Sequence, residues 1–253
     1  FTFYGQMARA KLGMSDLGLD RTISISSADQ AAIERDDRFE ALRRFAKINR
    51  RDLATTFYKH MAETLATPGQ IAAMIDHAEK QGWMNLAVTA GKAGAQRGMD
   101  MEVRAFPIGV NPNVDTSGLE KALAFAIMRQ ESEFNQSVVS SAGAVGIFQV
   151  MPDTGRDAAK KLGIGYDAGA WRNDPAYNIR LGSGYVANLV SNYDGNYVMA
   201  IAGYNAGPGR IRDWVREYGD PRTGQVDIVD WMERIPFSET RNYVHRVLEN
   251  LQV

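Results

Sequence analysis

The sequence predicts a mainly α-helical protein. Apolar residues return every three or four positions through most of the chain. Ser, Pro and Gly punctuate the ends of those runs, and the first half offers no convincing strand alternation. Phe3 to Leu12 has helical spacing and stops at Gly13. The span Gly13 to Ser27, with Gly13, Gly18 and several Ser and Asp residues, reads as a connector. Asp37 to Phe45 places Phe39, Leu42 and Phe45 on one face. Asp52 to Leu65 steps by four through Leu53, Phe57 and Met61. Pro68-Gly69 then separates it from a helix over Gln70 to Lys80, and another runs from Trp83 to Ala95. Short helices joined by small turns predict a helical stack or small bundle.

Phe106 to Thr116, with two prolines, a glycine and two asparagines, reads as a domain junction. Ser117 followed by Glu120 has the capping-box pattern ahead of an apolar run in which Leu119, Leu123, Ala126, Ile127, Gln130 and Phe134 share a face. Ser140 to Pro152 is different in character: small and glycine residues surround Ile147, Phe148, Gln149, Val150 and Met151. Helices resume at Asp153 to Leu162, Tyr177 to Tyr193, Tyr197 to Tyr204, Arg210 to Tyr218 and Thr240 to Leu251, the last with Ser238 placed to cap it. Gly163 to Pro175 reads as a loop.

Composition narrows the function. The 253 residues are 45% hydrophobic, enough for a sizeable core. With 29 basic and 30 acidic residues the net charge is -1, which argues against a nucleic-acid binder. The lack of cysteine excludes a disulfide scaffold, a thiolate metal site and a cysteine nucleophile. The three histidines, His60, His77 and His245, lie far apart, so no metal site and no cofactor are expected. No stretch is apolar for long enough to span a bilayer, and no signal peptide is visible. Because the chain starts at Phe1 rather than Met, it reads as a processed protein or a fragment.

Glu131 is the residue with the strongest chemical case. A glutamate at a helix end is ordinarily a solvated charge. This one borders the core-facing stripe, where desolvation disfavours the anion, and it lies near a helix C-terminus, where the macrodipole does the same. Both push its pKa upward, as a general acid at neutral pH requires. Gly143 and Gly146 lack P-loop spacing and its lysine. They read either as a tight turn or as a lip admitting a polar polymer, with Gln149 supplying hydrogen bonds. Tyr204-Asn205-Ala206-Gly207-Pro208-Gly209 joins two helices and puts two hydrogen-bonding side chains at the turn. Glu239, Arg241 and Tyr243 crowd the start of the last helix, where a structural Glu-Arg pair is the alternative.

Taken in order, these segments resemble the soluble lytic transglycosylases. The resemblance rests on Glu131-Ser132, the Gly146 to Gln149 run with Met151-Pro152, Tyr204 to Gly207, and Ile-Pro-Phe-x-Glu-Thr-Arg-x-Tyr-Val from Ile235 to Val244. It implies a lysozyme-like helical catalytic domain over residues 111–253, a helical linker domain over 21–110, and the end of a helical superhelix over 1–20, with a large N-terminal region absent. It implies Glu131 as catalytic acid and base. Ser140, Phe148, Gln149, Met151, Tyr204, Asn205, Glu239 and Tyr243 would line the groove. Two positions depart from the family pattern: Ile147-Phe148 stands where Leu-Met is common, so that Phe148 is expected to stack on a sugar, and Gly203 replaces a usual alanine.

The resemblance further implies a periplasmic protein acting on peptidoglycan glycan strands, with no nucleic acid and no membrane span in this chain, and with cell-wall synthesis or remodelling proteins as partners. The implied reaction cleaves the MurNAc–GlcNAc bond. Glu131 protonates the bridging oxygen, then takes the proton from the muramyl C6 hydroxyl, which closes a 1,6-anhydro ring. Glu133, Asp153 and Glu239 are the candidates for a second carboxylate. A goose-type lysozyme-like hydrolase, a silent peptidoglycan-binding module and a helical interaction module are the alternatives.

Overall fold

The computed structural model describes residues 2–14, 23–108 and 113–253. The helices are α1 (Phe3–Lys11), α2 (Ser27–Glu34), α3 (Asp37–Lys47), α4 (Arg51–Thr64), α5 (Pro68–Lys80), α6 (Met84–Gln96), α7 (Lys121–Ser132), α8 (Pro152–Lys161), α9 (Ala168–Asn173), α10 (Pro175–Asn192), α11 (Tyr197–Ala206), α12 (Pro208–Tyr218), α13 (Ile228–Glu233) and α14 (Ser238–Leu251). Extended structure among the described residues is limited to single bridges linking Val139 to Val145 and Val145 to Val150. No helix among them is long and apolar enough to cross a membrane.

Two compact units emerge. Described residues 23–108 form one, and 2–14 with 113–252 form the other. Parts of the Gly13–Ser27 connector and of the Phe106–Thr116 junction lie outside the described residues.

In the first unit, α2 to α6 close over Ile33, Leu42, Tyr58, Met61, Ile71, Met74, Ile75 and Leu86, all removed from solvent. The sequence reading missed α2, whose segment SADQAAIE holds Ile33 as its single large apolar residue. What starts it is a capping box: Ser26 Oγ accepts from Asp29 N at 3.0 Å, and Asp29 Oδ2 accepts from Ser26 N at 3.2 Å. Pro68 does not separate helices as expected. It occupies the first position of α5, where its missing N–H costs nothing, and Thr67 caps the turn by accepting from Gln70 N at 3.1 Å.

In the second unit, α7 packs against α14, and α14 against α11. Helix α1 also lies on α14. Phe3 stacks on His245 with ring centroids 4.9 Å apart, its backbone N–H donates to Glu249 Oε1 at 2.8 Å, and the Tyr4 hydroxyl donates to Glu233.

Several helix ends differ from the pattern the sequence predicts. Ser117 does not cap α7. It sits at φ 50°, its N–H donates to Asp115 Oδ1 at 2.8 Å and its hydroxyl to the Arg180 carbonyl at 3.2 Å. Glu120 precedes α7 without a capping bond and instead accepts from the Tyr197 hydroxyl at 2.6 Å. Ser238 is already helical, with Phe237 at the cap position. The expected loop 163–175 contains α9, capped by Asp167, and α13 is capped by Asp227.

Candidate active site

Glu131 lies in the last turn of α7, which closes at Ser132. Glu133 and Phe134 follow at φ 52° and 64°, both left-handed, so the chain reverses at once behind the carboxylate. Phe134 is buried, and this anchors the reversal. Ser132 is buried as well. Its hydroxyl donates to the Ile147 carbonyl at 2.8 Å and accepts from Asn135 N at 3.1 Å. The residue after Glu131 thereby ties the helix end to the segment 138–151.

That segment is held by side-chain bonds added to a short run of backbone bridges, in which Val145 and Val150 exchange hydrogen bonds at 3.2 and 3.1 Å. Gln136 Oε1 accepts from Ile147 N at 3.3 Å. Asn178, fully buried on α10, accepts from Phe148 N at 3.0 Å and donates to the carbonyls of Val145 and Trp171 at 3.0 and 3.1 Å. Gly146 sits at φ 80°, and a Cβ there would lie 2.5 Å from the Asn178 side chain, so both the conformation and the contact require glycine. Trp171 Nε1 donates to the Val150 carbonyl at 3.2 Å.

The predicted site residues divide. Tyr243, on α14, donates its hydroxyl to Glu131 Oε1 at 2.5 Å. Oε2 accepts no hydrogen bond among the described residues. Tyr204, on α11, donates to the Phe148 carbonyl at 2.5 Å and lies close enough for the Glu131 charge to act on it. Asn205 Oδ1 accepts from the Thr240 hydroxyl at 2.7 Å, joining α11 to α14 one turn before Tyr243. Gln149 is at φ 48° with its amide donating to the carbonyls of Gly146 and Val138 at 2.8 and 3.2 Å, so its nitrogen serves the loop. Ser140 Oγ accepts from Ala144 N at 2.9 Å and closes the turn. Met151, at the start of α8, and Glu239, in the first turn of α14, are exposed.

Phe148 requires correction. Its ring is 0% exposed and fits against Gly182 of α10, where a Cβ would lie 2.3 Å from it. It is a core residue and offers no face to a sugar; what Phe148 presents is its backbone, to Tyr204 and Asn178. The Glu239–Arg241 alternative does not form either. Arg241 Nη1 donates to the Ile235 carbonyl at 2.8 Å. The sequence reading missed Asn178 and Thr240. An Asn between apolar positions, in Tyr-Asn-Ile-Arg-Leu, was the available signal for the first.

Electrostatics follow from this geometry. Burial raises the Glu131 pKa to about 7 despite the opposing hydrogen bond from Tyr243. Burial first, and the Glu131 charge second, raise Tyr204 and Tyr243 far above the ordinary phenol value, so both remain donors. Of the expected second carboxylates, Asp153 is exposed and paired with Arg156, and Glu239 is exposed. Glu133 acts on Arg129. The arrangement is a sheltered carboxyl whose pKa burial raises to about 7, with one oxygen fixed by a phenol.

Comparison with known proteins bears on this site. The family model for the transglycosylase SLT domain matches residues 110–226. A soluble lytic murein transglycosylase of Salmonella typhimurium is 32% identical over 254 residues, covering 97% of this chain and 38% of that protein. The crystal structure of the 70 kDa soluble lytic transglycosylase from Escherichia coli superposes with a TM-score of 0.80 at 31% identity, over 99% of this chain and 40% of that one. An inactive mutant of lytic transglycosylase Slt from Pseudomonas aeruginosa does so at 0.80 and 28%, again with 99% and 40%. This chain therefore spans about two fifths of the length of these relatives.

The helical fold around Glu131 is thus the lysozyme-like fold of an SLT-type transglycosylase domain. The chain belongs to the soluble lytic transglycosylase family.

Proposed function

We propose that this chain is the catalytic end of a periplasmic lytic transglycosylase that cleaves the MurNAc–GlcNAc β-1,4 bond of peptidoglycan and leaves 1,6-anhydro-MurNAc ends. On this reading residues 111–253 are the catalytic domain, 21–110 a linker domain and 1–20 the end of a superhelix. Cell-wall synthesis or remodelling proteins are its partners. The observation that carries it is the Glu131 carboxyl: enclosed, with a pKa near 7, and held on Oε1 by Tyr243.

Glu131 gives its proton to the bridging oxygen as the glycosidic bond breaks and positive charge develops at the muramyl anomeric carbon. As a carboxylate it then accepts the proton of that sugar's C6 hydroxyl, whose oxygen bonds to the anomeric carbon. Atoms balance without water, and Glu131 ends protonated. A pKa near working pH suits a group that must both give and take a proton. Two-carboxylate glycosidases set their second group across the bond. With Asp153 paired outward and Glu239 exposed, the single-glutamate route fits these residues better. Tyr243 fixes one oxygen and leaves Oε2 for the substrate. Ser140, Gln149, Met151, Tyr204, Asn205 and Glu239 are proposed to line the groove.

The test is the mass of the product from intact peptidoglycan. Anhydro-muropeptides are expected, lighter by one water than reducing-end products, and Glu131→Gln should release them more than about 10³-fold more slowly. Reducing-end muramic acid would instead identify a goose-type hydrolase. Anhydro product at full rate from Glu131→Gln would end the single-glutamate proposal.

A further inference from the structure

Two residues of α10 hold Phe148. Asn178 and Gly182 are four positions apart, so they lie on one face of that helix. Gly182 receives the Phe148 ring, and Asn178 Oδ1 accepts from the Phe148 N–H at 3.0 Å. The orientation of the Asn178 amide is forced. Its oxygen alone can accept, and its nitrogen donates to the carbonyls of Val145 and Trp171 at 3.0 and 3.1 Å. The side chain is fully buried, so solvent does not compete for these bonds. Mounted by ring and N–H, Phe148 has its carbonyl aimed in one direction, and there it accepts from the Tyr204 hydroxyl at 2.5 Å.

A phenol has one proton to donate. Tyr204 gives its proton to Phe148, so what it offers Glu131 is a lone pair. Tyr243 does the reverse and gives its proton to Glu131 Oε1 at 2.5 Å. The Glu131 charge acts on both phenols, and Tyr185 of α10, with its ring centroid 5.9 Å away, is the further titratable group acting on Tyr204. A donor favours the Glu131 anion, and a lone pair favours the protonated acid. The two phenols therefore pull the carboxyl in opposite directions, and the partner of the Tyr204 proton decides which way Tyr204 pulls.

We propose that Asn178 is a positioning residue for the reaction: with Gly182 it mounts Phe148 so that the Phe148 carbonyl takes the Tyr204 proton and keeps it from the Glu131 carboxyl. Asn178 is sealed from the cleft and acts through Phe148. This rests on Glu131 as the acid of the proposed function and adds a residue of α10 to those that set its protonation.

The Glu131 carboxyl carbon, followed by carbon-13 NMR as pH is varied, tests this whatever reaction the cleft carries out. Asn178→Ala removes the partner of the Phe148 N–H. Gly182→Ala puts a Cβ 2.3 Å from the ring and displaces Phe148 with Asn178 intact. Each is expected to lower the Glu131 pKa from about 7, by roughly half a unit or more, as Tyr204 turns its proton to the carboxylate. Neither should do so when added to Tyr204→Phe, which has no hydroxyl to turn. Trp171→Phe is the control: it removes the Nε1 donor to Val150 on the same segment and should leave the pKa in place. With purified peptidoglycan, Asn178→Ala should lower kcat about tenfold with KM within about twofold, and move the falling limb of kcat/KM to lower pH. A Glu131 pKa unmoved in both α10 variants overturns the proposal. So does a shift that survives Tyr204→Phe, or a rise in Tyr204→Phe alone as large as that in Tyr243→Phe. Should Asn178→Ala not fold, Gly182→Ala and the two tyrosine variants still decide it. Full turnover by Glu131→Gln would overturn the proposed function instead, and would not alter these titrations.

Discussion

Each unit of this protein buries a tyrosine against a titratable partner, and on the proposed function the two pairs have different uses. In the first unit the Tyr58 hydroxyl lies 2.6 Å from His77 Nδ1. In the second the Tyr243 hydroxyl lies 2.5 Å from Glu131 Oε1. Burial drives both partners toward their neutral forms, His77 downward in pKa and Glu131 up to about 7. Around Tyr58 and His77 the surroundings are aromatic: Phe39 meets His77 edge-on at 5.2 Å and Trp83 at 6.1 Å. His77 itself is half-buried, and the charges of Arg43 and Lys80 act on it together with burial. Glu131 instead stands at a helix end beside a tight chain reversal, with Oε2 uncommitted. On the proposed function, the hydrogen bond to His77 is structural, whereas the one to Glu131 holds a group that carries the proton transfer.

Replacing Glu131 by Gln sharpens this contrast most. On the proposed function, release of anhydro-muropeptides should fall by more than about 10³-fold. Stability should move the other way. A carboxylate whose folded pKa is raised from its ordinary 4.5 to about 7 is held against its preference at high pH. Glu131→Gln should therefore stabilise the protein by about 3 kcal/mol at pH 8, and by little at pH 4. Denaturant unfolding at the two pH values reads the difference. A variant that is less stable than the parent at pH 8 would show that the carboxylate is not under strain.

Exchanging the two tyrosines for phenylalanine is the next test. Tyr243→Phe removes a donor that favours the Glu131 anion, so the carboxyl pKa should rise further. The limb of kcat/KM that falls with increasing pH should shift upward from about 7, and turnover should drop by about tenfold as the carboxyl loses its anchor. Tyr58→Phe should leave turnover per folded molecule unchanged and cost about 1 to 2 kcal/mol of stability, because His77 loses a buried partner. A change in the pH profile from Tyr58→Phe would erase the distinction between the pairs.

What the sequence made legible follows the same division. The helices with a wide apolar stripe, such as α3, α4 and α10, are readable because their 3.6-residue period is set by burial. The short α2, α9 and α13 are not, since each depends on a side-chain cap, from Ser26, Asp167 and Asp227, rather than on a stripe. Ser117 carries a capping-box pattern and does not cap, because a carbonyl 63 residues away takes its hydroxyl. At the site, motifs named Glu131 and Tyr243 separately. Their hydrogen bond spans 112 residues and has no local signal. Phe148 was misread for a related reason. Whether a loop side chain faces outward depends on its socket, here Gly182 on a helix 34 positions further along.

The smallest effect is the pH dependence of stability, where the two pairs oppose each other. His77 has a lowered folded pKa, from burial first and then from Arg43 and Lys80, so the unfolded chain binds its proton more readily. Its contribution is present above the ordinary pKa of 6.5 and is lost as pH falls below it. Glu131 has a raised folded pKa. Its contribution is present below 4.5 and is lost as pH rises toward 7. Between pH 7 and 5 the two slopes have opposite signs and partly cancel. Glu131→Gln removes one of them, so that variant should lose stability on acidification through this window more steeply than the parent. Adding His77→Gln should flatten the curve again. If Glu131→Gln and the parent trace parallel curves from pH 7 to 5, then the Glu131 proton is not shared unequally between folded and unfolded chains, and the contrast between the two tyrosine pairs lies in their exposure alone.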